Sequence, residues 1–187
     1  TYTSNWWAKV TYNGREGYVS RAYLRIPTGQ PNVPECHNPG GGGNSRINGP
    51  ISRAEVLARA QTWVDRRVPY SMYSTASDPQ GKAYRSDCSG FVSMALHLDQ
   101  SLSTVTLPGR VHQISKDELR PGDIVGNLGP GTGGANGHVV IFAGWVDGSR
   151  TKFRTLEQTP DYAQSRVLTW GSRFYLHAAY RYNNISD

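Results

Sequence analysis

What most limits how this chain can fold is a break in composition between Pro27 and Pro50. Prolines stand at 27, 31, 34 and 39, four glycines follow at 40–43, and almost nothing apolar lies between them. Such a segment cannot bury enough surface to offset the entropy of ordering it. It is therefore expected to be a linker, stiff in its proline half and loose in its glycine half. The 187 residues then divide into a front segment (1–26), the linker (27–49) and a body (50–187) large enough to hold a core.

In the front segment Trp6-Trp7-Ala8-Lys9-Val10-Thr11-Tyr12 and Gly17-Tyr18-Val19-Ser20 flank Asn13-Gly14. Both turn residues tolerate positive φ, so a β-hairpin is expected. With Tyr23-Leu24, this stretch resembles the closing strands of bacterial Src-homology-3-like domains and covers about the last third of one. Trp6, Trp7 and Tyr12 either line a ligand groove or form the hairpin's own small core.

The body opens with Ile51 to Val64. Val56, Ala60, Trp63 and Val64 make one stripe, Ser52 and Glu55 have the spacing of a capping box, and Pro69 ends the helix. Arg53, Arg59, Arg66 and Arg67 are expected on its solvated face. After a polar loop (74–85), Ser86-Asp87 precede Cys88 and an apolar run with Phe91, Met94, Ala95 and Leu98 at helical spacing. That pattern puts Cys88 in the first turn of a helix running to about Leu98, with Asp87 or Ser86 as its N-cap. Unpaired N–H groups and the helix dipole favour a thiolate there, and the thiolate is the reactive form. His97 lies off the apolar stripe and is expected in solvent.

Downstream, Pro121-Gly122-Asp123 is a turn into a short strand. The glycines at 126–137 lack a strand-loop-helix setting and a Lys-Ser/Thr pair, so a mobile loop is expected rather than a phosphate cradle. His138-Val139-Val140-Ile141-Phe142-Ala143-Gly144-Trp145 reads as a strand buried on both faces with an imidazole at its mouth. Thr151 to Thr159 is the next antiparallel strand, and alternation sets Phe153, Thr155 and Glu157 on one face. A cysteine nucleophile needs a histidine to take its proton and a third polar group to orient the ring. Cys88 and His138 are the candidates, with Glu157 as the third member, or Gln158 if the register slips by one. Residues 166–182 are expected to close the sheet.

Two cysteines are too few for a disulfide framework, and no pair has zinc-ligand spacing. Cys36 is expected to be spare, or to pair outside this sequence. No metal and no cofactor is expected. The net charge of +6 favours an anionic partner; scattered basic residues without a recognised module argue against nucleic acid. No apolar run reaches membrane-spanning length, and the first residues do not read as a charged-then-apolar leader, so in an exported protein the signal is expected to have been removed already.

Asp87-Cys88-Ser89-Gly90-Phe91-Val92, with Pro69-Tyr70, Leu119-Arg120-Pro121-Gly122-Asp123 and Gly137-His138-Val139-Val140-Ile141-Phe142, resembles the NlpC (NlpC/P60-type) family of cell-wall peptidases across most of 51–182. The resemblance implies an α+β, papain-like fold, with the cysteine helix packed on an antiparallel sheet. It also implies Cys88 as nucleophile, His138 as base, Glu157 as orienting residue, and Tyr70, Asp87 and Ser89 at the substrate. The implied activity is thiol-dependent hydrolysis of peptidoglycan stem peptides, commonly after D-glutamate. A secreted or cell-wall-associated monomer is expected. Departures are a longer segment between Tyr70 and Cys88 without the usual Gly-Gly, and a third position that in the family is most often histidine. The alternatives are a non-catalytic wall-binding module, or an amidase or acyltransferase on the same fold.

Overall fold

The structure is a computed structural model that describes residues 7–12, 15–20 and 43–186. It forms two units, Thr1–Gly43 and Asn44–Asp187. The described part of the first is an antiparallel pair, β1 (Trp7–Tyr12) and β2 (Arg15–Ser20), with Tyr12 opposite Arg15. Trp6, the Asn13-Gly14 turn, Tyr23-Leu24, the linker as far as 42, and Cys36 lie outside the described residues.

The second unit runs β3 (Ile51–Ser52), α1 (Arg53–Asp65), β4 (Thr75–Ser77), β5 (Ala83–Arg85), α2 (Cys88–Ala95), β6 (Val111–Ile114), β7 (Ile124–Gly126), β8 (Val139–Trp145), β9 (Lys152–Gln158), β10 (Ala163–Thr169), β11 (Ala179–Tyr182) and β12 (Ile185–Ser186). Six strands form one sheet in the order β10-β9-β8-β7-β11-β6, antiparallel throughout. The architecture is α+β, with a short cysteine-bearing helix packed against a large antiparallel sheet.

Alternation along β8 builds two apolar clusters. Val139, Ile141 and Ala143 join Val56, Ala60 and Trp63 of α1 and Phe91, Met94 and Ala95 of α2. Val140 and Phe142 join Phe153, Leu168 and Leu176. Each large side chain so buried stabilises the fold by roughly 1.5–3 kcal/mol. Between Phe142 and Gly144 the pairing with β9 slips by one residue in a bulge, with Gly144 at φ +132°.

Three local expectations are corrected. Ser52 caps α1 by accepting from Glu55 N at 3.2 Å, but the Glu55 carboxylate takes the Ser45 hydroxyl rather than closing a capping box. Arg53 and Arg59 are buried, not solvated. Arg53 pairs with Asp123 at 2.8 Å. Arg59 pairs with Asp78 at 2.7 Å and donates to Met94 O, so it fastens α1 to the end of α2 and to the β4–β5 hairpin. A guanidinium can enter a core when carboxylate and carbonyl acceptors meet its fork; Arg66 and Arg67 do stay in solvent.

The third correction concerns the end of α2. It stops at Ala95, with His97 at φ +55°. His97 N donates to Met94 O and Leu98 N to Ser93 O, the paired bonds of a Schellman turn. Leu98 still reaches the core because the chain folds back, which explains why helical spacing overruns the true end. His97 is buried against Ser45, at 2.8 Å, instead of standing in solvent.

Among the described residues no helix is long and apolar enough to cross a membrane. The Arg59 clamp is testable. Asp78→Asn keeps an acceptor for the turn amides of Gln80 and Lys82 but strands a buried cation. In urea unfolding it is expected to cost about 3–5 kcal/mol, while Arg66→Ala leaves the midpoint nearly unchanged.

Candidate active site

Cys88 occupies the first turn of α2 because Asp87 stops the preceding chain and starts the helix. The Asp87 backbone is extended and its carboxylate accepts from Gly90 N at 2.7 Å. Gly90 is required at that point: a Cβ would overlap the carbonyl of Arg85, which passes directly beneath the turn. Arg85 braces the same corner, donating to Asp87 at 2.6 Å, to Ser89 Oγ at 3.1 Å and to Leu102 O at 3.1 Å. Cys88 itself is a free, buried thiol.

His138 arrives from the opposite direction, at the entrance to β8. Its N–H donates to Asn127 Oδ1 at 2.9 Å, and Asn127 Nδ2 donates to Asn136 O at 2.7 Å. The glycine-rich connection is tied down further by Gly129 N to Thr104 O and by Thr104 Oγ1 to Thr132 O. A Cβ on Gly137 would collide with Thr132 O, so the close passage there needs glycine.

The two elements meet. Cys88 lies close enough to His138 to raise the basicity of its ring, and His138 Nε2 lies 3.1 Å from Glu157 Oε2. With Nε2 committed to the carboxylate, Nδ1 is left to face the sulfur. Glu157 is wholly buried, and each of its oxygens takes two donors. Oε2 accepts from His138 and, at 2.7 Å, from Arg166 Nη2; Oε1 accepts from Arg166 Nε at 3.0 Å and Thr155 Oγ1 at 2.6 Å. Gln158 points to the other side of the sheet and donates to Val68 O.

These contacts set the charges. Burial alone would favour a neutral imidazole, but the interactions with Cys88 and with the Glu157 carboxylate outweigh it and hold His138 up at about 9. Burial likewise opposes ionisation of Glu157, yet its bonds from His138, Arg166 and Thr155 hold it down at about 2. Tyr70 stays protonated, raised first by burial and then by the charges of Cys88 and Asp87.

A cavity of about 230 Å³ opens beside the sulfur, lined by Tyr70, Met72, Arg85, Cys88, Ser103 and Thr104 among others. Asp87 and Ser89 also line it, but their polar groups are engaged with Gly90 and Arg85. Three contributors went unforeseen: Arg166, Thr155, and Tyr175, whose ring meets that of His138 edge-on, centroids 4.5 Å apart. Arg166 stands opposite Thr155 across β9 and β10, a register only strand pairing could reveal. Among the described residues no three His, Cys, Asp or Glu side chains cluster as metal ligands.

No protein-family model matches this chain, and no curated protein does. Among solved structures, NlpC1 from Trichomonas vaginalis is a remote match, with a TM-score of 0.45 and 14% identity, covering 95% of this chain and 55% of that one. The chain thus spans about half of that protein's length.

The pH response follows from the two shifts. His138, raised from 6.5, contributes stability that is complete below pH 6.5 and is lost as pH climbs through about 9. Glu157, lowered from 4.5, contributes stability complete above pH 4.5 and lost as pH falls through about 2. By NMR the His138 ring should titrate near pH 9 and fall back toward 6.5 in Glu157→Gln; a value near 6.5 in the unaltered protein would contradict the pairing.

Proposed function

We propose that this protein is a papain-like cysteine peptidase that hydrolyses an amide bond in peptidoglycan stem peptides. One observation carries the reading: a free cysteine in the first turn of a helix adjoins an imidazole that is held by a buried carboxylate. Cysteine nucleophiles are activated by this arrangement.

The Cys88 thiolate attacks the carbonyl carbon. The oxyanion that develops is met by first-turn N–H groups, including that of Cys88, which a helix cannot satisfy internally. His138 donates its Nδ1 proton to the departing nitrogen, the C–N bond breaks, and a thioester remains. Water then gives a proton to His138 and attacks the thioester carbon. The C–S bond breaks, a carboxylic acid leaves, and the thiolate is restored. Glu157 keeps the ring oriented throughout and stabilises the imidazolium. Tyr70, a neutral phenol beside the sulfur, is placed to contact the acyl portion of the substrate.

Two things support peptidoglycan as the substrate: the motif resemblance around Cys88 and His138, and the net charge of +6, which suits an anionic wall. The bond after D-glutamate is the preferred site on the same resemblance, and the setting is extracellular or wall-associated.

The test is digestion of purified muropeptides followed by mass spectrometry. Cys88→Ala should abolish cleavage while leaving binding to insoluble wall intact. Unchanged products would remove the peptidase reading. Products with a freed sugar lactyl group, or with the acyl group moved to an amine, would identify an amidase or a transferase instead.

A further inference from the structure

Two of the side chains that meet His138, Glu157 and Tyr175, are themselves engaged by one residue. Arg166, on β10, grips the Glu157 carboxylate with two parallel bonds, Nε to Oε1 at 3.0 Å and Nη2 to Oε2 at 2.7 Å. Its side chain also lies close enough to Tyr175 for the two to affect each other's ionisation, and the Tyr175 ring abuts the imidazole. A forked guanidinium fixes the plane of a carboxylate as well as its position. Thr155 completes the set, so every in-plane direction around Glu157 is filled and the carboxylate cannot rotate away from Nε2.

The charges support the same role. His138, Glu157 and Arg166 follow one another as cation, anion, cation. Without Arg166, Glu157 would bear on His138 alone. The other charged or titratable groups facing this chain are Tyr175, with Arg173 beside it, and, around Cys88, Tyr70, Asp87 and Arg85.

We infer that Arg166 is a positioning residue for His138: acting through Glu157 and Tyr175, it aims the imidazole at Cys88 and offsets the charge of Glu157 so that the ring can release its proton. This rests on the peptidase reading above. Arg166 itself is not among the residues that line the cavity.

Two variants separate orientation from charge. Arg166→Lys keeps the cation and loses the fork. In muropeptide cleavage its kcat should fall about tenfold or more with KM little changed, and the NMR titration of His138 should stay in place. Arg166→Gln removes the cation as well, and with one positive charge fewer the site binds protons more tightly. The His138 titration, and with it the alkaline limb of the rate profile, should move up by about one unit. A merely structural arginine would lower the melting temperature and leave both readings of the folded protein unaltered. An unchanged kcat in Arg166→Lys, or an unmoved or lowered His138 titration in Arg166→Gln, overturns the inference. If Arg166→Gln does not fold, Arg166→Lys decides alone. If the unaltered protein cleaves nothing, the peptidase reading fails, while the titration still tests the grip of Arg166 on the histidine.

Discussion

A carboxylate removed from water must be paired or lose its charge, and the rest of this structure is arranged around meeting that demand for Glu157. Its four bonds come from three places in the sheet: His138 at the mouth of β8, Thr155 two residues back on the same face of β9, and Arg166 on β10, diagonal to Glu157 and opposite Thr155. The antiparallel order β10-β9-β8 is what makes those places neighbours. A slip of one residue between β9 and β10 would turn Arg166 to the opposite face and strip the buried carboxylate of two of its four bonds. Strand register and site chemistry are therefore one constraint.

The helix is held with similar care, though by backbone proximity. α2 is eight residues long and buried along its whole length, too short to be stable by itself. Its start is determined by Asp87 and by the close passage of residue 85 under Gly90; its end is determined by the turn at His97 and the carbonyl of Met94 held by Arg59. Ser93 adds a bond within the helix, to Ser89 O, and another from Leu102 N. The sulfur inherits its position from all of these, so buried polar contacts well away from the cavity bear on where the nucleophile stands.

Much of this was legible before any coordinates. A capping residue ahead of an apolar period located the cysteine helix, and an unbroken β-branched run located the strand behind His138. Alternation alone put Thr155 and Glu157 on a common face. The failures have one physical origin: a linear pattern ranks residues by polarity, while burial is decided by partners distant in sequence. Arg59 reads as solvent-facing until Asp78, Gln80 and Met94 O converge on it. His97 reads the same way until Ser45, more than fifty residues upstream, closes over it. Arg166 was missed because its meaning depends on which strand lies beside it. The overrun of α2 to Leu98 shows the converse, an apolar residue at helical spacing brought to the core by a turn.

One corner of the second unit joins backbone from its two extremes in sequence. β3 and β12 run parallel, Ile51 beside Ile185, and Ile51 N and Asn48 O are bonded to Asn184. Stretches 136 positions apart in sequence are thereby stitched together. Ser52, the residue that caps α1, belongs to this two-residue ladder, so the first turn of that helix is moored to a segment the chain reaches only after completing the whole sheet.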